Sequence, residues 1–587
     1  MVKQLMKSIR EFKLATILTP TFVIGEVIIE ALIPFLISLL INDIKAGCDL
    51  SVILGYAWKL VVLSLLSLLC GYLAGIYCAK ASTGFARNLR YDIFTNIQKF
   101  SFSNIDKFSS ASLVTRLTTD IQNVQMAFMM IIRTAVRAPL NLIFSFTMAY
   151  IMGGTMAVIF LIIIPFLGIG LYLIVRSVMP IFKKGFPLFD KITRIVEENV
   201  KGIRVVKSFV REDFEINKFD ETSNDIRKMF TRAEQIIALN NPLMQISIYA
   251  VMLFVLMFGS EMIIKTNATS LDVGQLSTLM TYGFQIMVSL MMLSMVFVMI
   301  TFSEESSKRI VEVLNEKSSI TSKENAITEV KDGSIDFDHV RFKYSPTAER
   351  PVLENIDVHI KSGETIGIIG GTGSAKSSFV QLIPRLYDVT EGTVRVGKED
   401  VRDYDLVTLR DSVAMVLQKN VLFSGTIADN IRWGNKDATL EEVKHVCHLA
   451  CADEFIEQMP DGYDTWIEQG GTNVSGGQKQ RLCIARALLK QPKILIMDDS
   501  TSAVDTKTDA IIRKAMKEYI PETTKIIIAQ RTSSVEDADR IIVLDGGQID
   551  AIGTSEELLK TNQIYREVYL SQNKQGTEEI VEEGGVR

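Results

Sequence analysis

Apolar runs long enough to cross a bilayer fill the first half of this chain, and they limit its fold more than any other feature. Inside lipid every backbone polar group must be satisfied within the span, so runs of this length are expected to be helices. About six are expected by length, near Leu14–Ile41, Val52–Cys78, Ala127–Met152, Met156–Met179, Ile236–Ile264 and Val273–Phe302. No small-residue cleavage site follows the first, which reads as a retained span with no domain ahead of it. The 587 residues exceed a single core, and the net charge of −5 averages two unlike halves. Such a weakly acidic balance excludes nucleic acid as an expected partner. The cysteines have no metal-type spacing, and Cys447 and Cys451 read as free buried thiols.

The connections between runs alternate in character. Asn42–Leu50, Gly153–Thr155 and Lys265–Asp272 are short and poor in basic residues. Ala79–Met126 and Pro180–Gln235 are long, helix-patterned and rich in Lys and Arg. The positive-inside rule therefore places the N-terminus, both long loops and the second half in the cytoplasm. Each long loop turns back at a polar tip, the first expected at Ser109–Thr115 and the second near Val205–Asp213.

Charges inside spans require a reason, because each costs a few kcal/mol at the bilayer centre. Glu26 and Glu30 are one turn apart in the first span, and Arg133 and Arg137 are spaced alike in the third. Both pairs should face a bundle interior or a water-filled cavity, there to pair with each other or to touch a substrate. In the sixth run Met287, Met291 and Met295 offer polarisable thioethers that suit varied hydrophobic ligands or an ordinary helix interface. No filter-like loop is present, which disfavours a simple channel.

Composition changes after Phe302. The expected organisation is a transmembrane domain over 1–310, a linker over 311–333, an α/β domain over 334–572 and an acidic tail over 573–587. The segment Glu364–Ile369 reads as a buried strand running into Gly370, Gly371, Thr372, Gly373, Ser374, Ala375, Lys376, Ser377 and Ser378, with a helical pattern from Phe379. Strand, glycine-rich loop, Lys-Ser and helix make a phosphate cradle. Its amides face phosphates, Lys376 neutralises them, and Ser377 reaches Mg²⁺. Downstream, Ile494–Met497 reads as a buried strand ending in Asp498 and Asp499, the first suited to hold Mg²⁺ against nucleotide phosphates. Between the two, Ser475, Gly476, Gly477 and Gln478 open a helix with bare amides and a hydroxyl for an anion.

With these motifs in place the sequence resembles the ATP-binding cassette family, specifically exporter-type half-transporters, over nearly its whole length. The resemblance implies a fold of an α-helical transmembrane domain of six spans with long cytoplasmic helical loops. An α/β P-loop nucleotide-binding domain with an α-helical subdomain follows it. It implies ATP and Mg²⁺ as cofactors, Tyr344 as the adenine-stacking aromatic, and Gln418 as the glutamine that senses γ-phosphate and metal. Val474–Gln478 matches the family signature, Ser502–Asp505 the D-loop, and the two loop tips the coupling helices. In the family two cassettes pair head to tail, each ATP lying between one phosphate loop and the other chain's signature.

The departures from the family pattern set the functional expectation. The position after the Walker B aspartate is normally Glu and here is Asp499; the switch position is normally His and here is Gln530. Ala375 replaces the glycine before the lysine. Asp499 sets its carboxylate about 1.5 Å further back than a glutamate, and Gln530 cannot titrate like an imidazole. Binding is expected to survive while hydrolysis suffers.

The chain therefore resembles the degenerate-site subunit of heterodimeric bacterial multidrug exporters. Its partner is expected to be a second half-transporter with an intact catalytic Glu and switch His. The pair would export small amphipathic compounds across the bacterial plasma membrane. Two other readings stay open: a homodimeric lipid or drug flippase with slow ATPase, and an ATP-gated regulatory membrane protein.

Overall fold

A computed structural model describes residues 1–572 apart from 268, 346 and 501–503. The acidic tail and the D-loop residues Ser502 and Ala503 lie outside the described residues. The chain divides into two compact units: Met1–Lys99 with Phe108–Glu316, and Phe100–Lys107 with the chain from Lys317 onward.

The first unit is helical. Five helical stretches are long and apolar enough to cross a membrane: Val2–Lys45, Leu50–Gln98, Ser110–Lys201, Glu212–Lys265 and Val273–Asn315. The expected third and fourth spans share Ser110–Lys201, which breaks at Gly154 (φ +51°) between helices Thr134–Gly153 and Val158–Lys201. An earlier break falls at Arg133 (φ −113°, ψ −67°), between Ile121–Ile132 and the helix that carries Pro139. The long helices outrun the bilayer. The 49 residues of Leu50–Gln98 extend about 73 Å at helical rise, against roughly 30 Å of hydrocarbon.

Their shared core gathers Phe160, Leu167, Val251, Val255, Tyr282 and Ile286. The buried Tyr282 hydroxyl donates to the Ala31 carbonyl at 2.6 Å, tying the last long helix to the first. Met287 belongs to this core and is fully buried, whereas Met291 and Met295 are exposed. As placed within this chain, Met287 therefore packs helices and presents no surface to a cavity.

The first loop also differs from expectation at its tip. A short helix, Phe102–Phe108, makes the reversal, and Ser109 (φ +54°) caps the returning helix Ser110–Thr115 through a bond accepted from the Ser112 amide. The second tip is the helix Ile203–Ser208, with no buried residue.

The second unit is built on a six-stranded sheet. Its order is Gln548–Gly553, Arg540–Asp545, Thr365–Gly370, Thr524–Ile528, Ile494–Asp498 and Val413–Val416. All neighbours are parallel except the antiparallel edge strand Gln548–Gly553. Every residue of Ile494–Asp498 is buried, so both faces are covered and the strand reads as an unbroken apolar run. An antiparallel sheet containing Ile335–Phe342, Leu353–Ile360 and Glu391–Val396 packs beside it, with Phe337 stacked on Phe379 at 4.2 Å. A helical subdomain, with Ile427–Arg432, Leu440–Leu449 and Gly476–Leu489 around Ile431, Val443 and Leu482, completes the unit.

Candidate functional site

In a parallel sheet ligands gather at the carboxyl ends of the strands. Here those ends collect the motifs, because Thr365–Gly370, Thr524–Ile528, Ile494–Asp498 and Val413–Val416 are consecutive neighbours. The phosphate loop leaves the first of them. Gly370 has no alternative, since a Cβ there would meet the Leu544 carbonyl oxygen at 2.2 Å. At Gly371 and Gly373 a Cβ would meet nothing within 4 Å, so the cradle is open. Ala375 sits in the left-handed region (φ +68°, ψ +22°) as the cap of helix Lys376–Gln381. In that conformation the methyl group costs about 1 kcal/mol relative to glycine.

Lys376 folds its ammonium back into the loop, donating to the Gly370 and Gly371 carbonyls at 2.9 and 2.8 Å and to Ser374 Oγ at 3.3 Å. Burial holds its pKa below the usual lysine value, partly opposed by Asp498 and Asp499. Burial pushes the Asp498 carboxyl up, with the Asp499 charge adding to it, while a hydrogen bond from Ser377 and the Lys376 charge oppose. Ser377 and Asp498 thus meet, a hydroxyl and a carboxylate, both hard oxygen donors suited to Mg²⁺. Among the described residues no cluster of three or more His, Cys, Asp or Glu could hold a metal alone. That fits an ion bound by one carboxylate, a hydroxyl and its nucleotide. Open cradle, neutralising lysine and hard donors together fit a magnesium–nucleotide complex.

Asp499 itself is in the left-handed region (φ +48°), its amide donating to the Ile528 carbonyl at 2.9 Å. Its Oδ2 accepts from Gln530 Nε2 at 2.8 Å and from Gln418 Nε2 at 3.4 Å. The structure therefore brings together Asp499, Gln530 and Gln418 from three neighbouring strand ends. That Gln418 reaches Asp499 was not foreseen.

Tyr344 presents a half-exposed ring, and its hydroxyl shares a hydrogen bond with Ser378 Oγ at 2.8 Å. Edge-on to it at 5.0 Å stands Tyr387, whose hydroxyl donates to Asp106 Oδ2 at 3.0 Å while its ring faces Phe102. The sequence reading missed this pair. Its only local signal was an aromatic, Tyr387, one helix beyond the phosphate loop. The segment Phe100–Lys107 is further tied to the linker, where Asn104 donates to the Lys317 carbonyl at 3.1 Å and Ser101 meets Ser319 at 2.7 Å.

Other expected residues are placed apart from this cluster. Ser475 caps helix Gly476–Leu489 in a reciprocal box with Gln478, and Ser475 and Gly476 are exposed at its open end. Asp505 caps helix Thr506–Tyr519 by accepting from the Thr508 amide at 3.0 Å, a bond that lowers its pKa. In the membrane unit Arg137 bridges Glu26 and Glu30, whereas Arg133 stands at the helix break.

Comparison with known proteins identifies the family. Residues 16–291 match the family described as ABC transporter transmembrane region, and residues 353–502 match the family described as ABC transporter. The uncharacterized ABC transporter ATP-binding protein YfiB of Bacillus subtilis is 34% identical over 94% of this chain and 96% of its own. The ATP-dependent lipid A-core flippase of Photobacterium profundum is 30% identical over 86% of this chain and 88% of its own. Among solved structures, a bacterial Atm1-family ABC exporter with ATP bound shares the fold with a TM-score of 0.82 at 24% identity, over 96% of this chain and 98% of that one. The chain belongs to the ATP-binding cassette transporter family and carries a membrane region and an ATP-binding domain on one polypeptide.

Proposed function

We propose that this chain is one half of a heterodimeric exporter in the bacterial plasma membrane, with its N-terminus and ATP-binding unit in the cytoplasm. In this reading it supplies the Walker residues of a nucleotide-retaining site and the signature of a partner's hydrolytic site. The observation that carries it is the hold on Asp499 by Gln530 and Gln418. An amide N–H donates and cannot take up a proton, so neither glutamine relays one from an attacking water. The carboxylate is also about 1.5 Å short of a glutamate's reach, and a misplacement near 1 Å costs roughly a hundredfold in rate.

Binding residues are spared. Lys376 lies in the cradle, Ser377 and Asp498 are poised for Mg²⁺, and Tyr344 offers its face to adenine. Mg²⁺, which Ser377 and Asp498 would hold, would neutralise phosphate charge when bound. The chain's own residues bind and orient the nucleotide, while Asp499 is held away from activating water.

Two exposed features support a second chain. Ser475 and Gly476 face outward at a helix start, free to meet phosphates bound elsewhere. At the second loop tip Val205, Phe209 and Val210 are 60%, 73% and 80% exposed, an apolar cluster that a companion would cover. The likeness to the lipid A-core flippase favours lipid flipping within the second reading, a homodimeric lipid or drug flippase with slow ATPase. Purification from native membranes separates the two. The heterodimer reading expects a companion half-transporter and little ATP hydrolysis by the chain alone. Brisk turnover by the chain without a companion would overturn it.

A further inference from the structure

Charges of the first and third spans meet in a lopsided cluster. Arg137 Nη1 donates to Glu26 Oε1 at 3.0 Å and Nη2 to Glu30 Oε1 at 2.6 Å, so two carboxylates share one guanidinium. The Glu26 side chain is only 9% exposed, and its Oε2 has no hydrogen-bond partner. A buried carboxylate oxygen without a donor is costly and calls for a positive group. Arg137 reaches Glu26 at Oε1 and leaves Oε2 without a donor, and Gly71 is the residue that lies against this carboxylate.

The surroundings leave room for a ligand. A Cβ on Gly71 would stand 2.9 Å from Glu26 Oε1, so the glycine makes space for the carboxylate; one turn on, a Cβ at Gly75 would meet nothing within 4 Å. Phe22, a turn from Glu26 on the same helix, stacks on Tyr77 with centroids 5.7 Å apart, which sets an aromatic pair about one turn from the carboxylate. The Glu30 and Arg137 side chains remain 28% and 25% exposed. Charge at hydrocarbon depth faces a bundle interior or a water-filled cavity rather than lipid.

We propose that Glu26 and Glu30 form a binding site for an organic cation, the positive group of an amphipathic molecule whose apolar body lies along Phe22 and the Gly71–Gly75 face. The inference rests on the export reading for its role as a substrate site, but binding itself requires no ATP.

The probe pair is tetraphenylphosphonium and tetraphenylborate, ions of similar size and shape and opposite charge, offered to the full chain in lipid nanodiscs with any companion that co-purifies. The cation is expected to bind and the anion not. Glu26→Gln should weaken cation binding about tenfold or more, and Glu30→Gln should act in the same direction. Gly71→Ala, which presses a methyl group onto the Glu26 carboxylate, should weaken it with both charges kept. Equal binding of the two ions overturns the proposal. So does unchanged cation affinity in the glutamine variant that folds, judged by its melting temperature. Loss of charge selectivity while ATP-driven transport persists overturns this inference alone; cation binding without ATP-driven transport overturns the export reading alone.

Discussion

Asp499 and Gln530 allow a quantitative test by restoration. Asp499→Glu extends the carboxylate by about 1.5 Å, which recovers up to roughly a hundredfold if reach is the only defect. It is not the only one, because Gln530 Nε2 holds the present carboxylate at 2.8 Å. A hydrogen bond to a charged group contributes about 1.5–3 kcal/mol, enough to keep a longer side chain turned from a water by about ten- to a hundredfold. Asp499→Glu alone should therefore gain less than tenfold or so in phosphate release, and Gln530→His alone almost nothing. The pair should gain about a hundredfold, since an imidazole accepts as well as donates. The assay is single-turnover phosphate release by the purified chain, read beside binding of a non-hydrolysable ATP analogue, which should not change. A wild-type rate equal to the double variant's, or singles whose gains simply multiply, would refute the coupling.

Four further outcomes follow from the same geometry. Ala375→Gly should keep or improve ATP-analogue binding, whereas Ala375→Val, a β-branched residue at φ +68°, should lose about tenfold or more; normal binding by the valine variant would exclude a strained cradle. Burial raises the Asp498 pKa, so affinity for the magnesium complex should fall, as pH drops from 7, at a higher pH than an ordinary aspartate would set. The sign is opposite for the ligand-free fold, which gains stability as this carboxyl protonates. Titrations of ATP with and without Mg²⁺ should diverge accordingly, and Asp498→Asn should remove the divergence. Tyr387→Phe keeps the ring contacts with Phe102 and Tyr344 but removes the bond to Asp106. Amide exchange over residues 100–107 should then rise by a few-fold, consistent with about 1 kcal/mol for an exposed acceptor, and unchanged exchange would show that the bond holds nothing.

The features legible in the sequence were those that a single element encodes. A long apolar run is a span whatever surrounds it, and a strand, glycine loop, Lys376 and Ser377 make a cradle by local geometry alone. Contacts between elements were not legible. Gln418 and Asp499 are joined by the adjacency of Val413–Val416 and Ile494–Asp498, and Tyr387 and Asp106 lie 281 positions apart. Met287, Met291 and Met295 read alike, as thioethers for a hydrophobic ligand or a helix interface. Yet eight residues drift by about 80° around a helix, and the neighbouring helices bury the first while leaving the other two exposed.

The same topology bears on whether the altered residues are decay or design. Random loss would be expected to touch binding and catalytic positions alike. Here Gln530 and Gln418 both donate to Asp499 Oδ2, while Lys376, Ser377 and Asp498 keep their own contacts and Ser475 keeps its full capping box. The Gln530 amide meets the shortened acid at 2.8 Å, so the two departures are joined by a direct hydrogen bond. A Gln530→Ala variant tests this directly. It should remove the shorter of the two glutamine bonds to the Asp499 carboxylate, lower the melting temperature by an amount matching about 1–3 kcal/mol, and leave the rate of hydrolysis unchanged. Unchanged melting would mean that Gln530 does not hold Asp499, and the argument for a site fixed in its retaining form would fail with it.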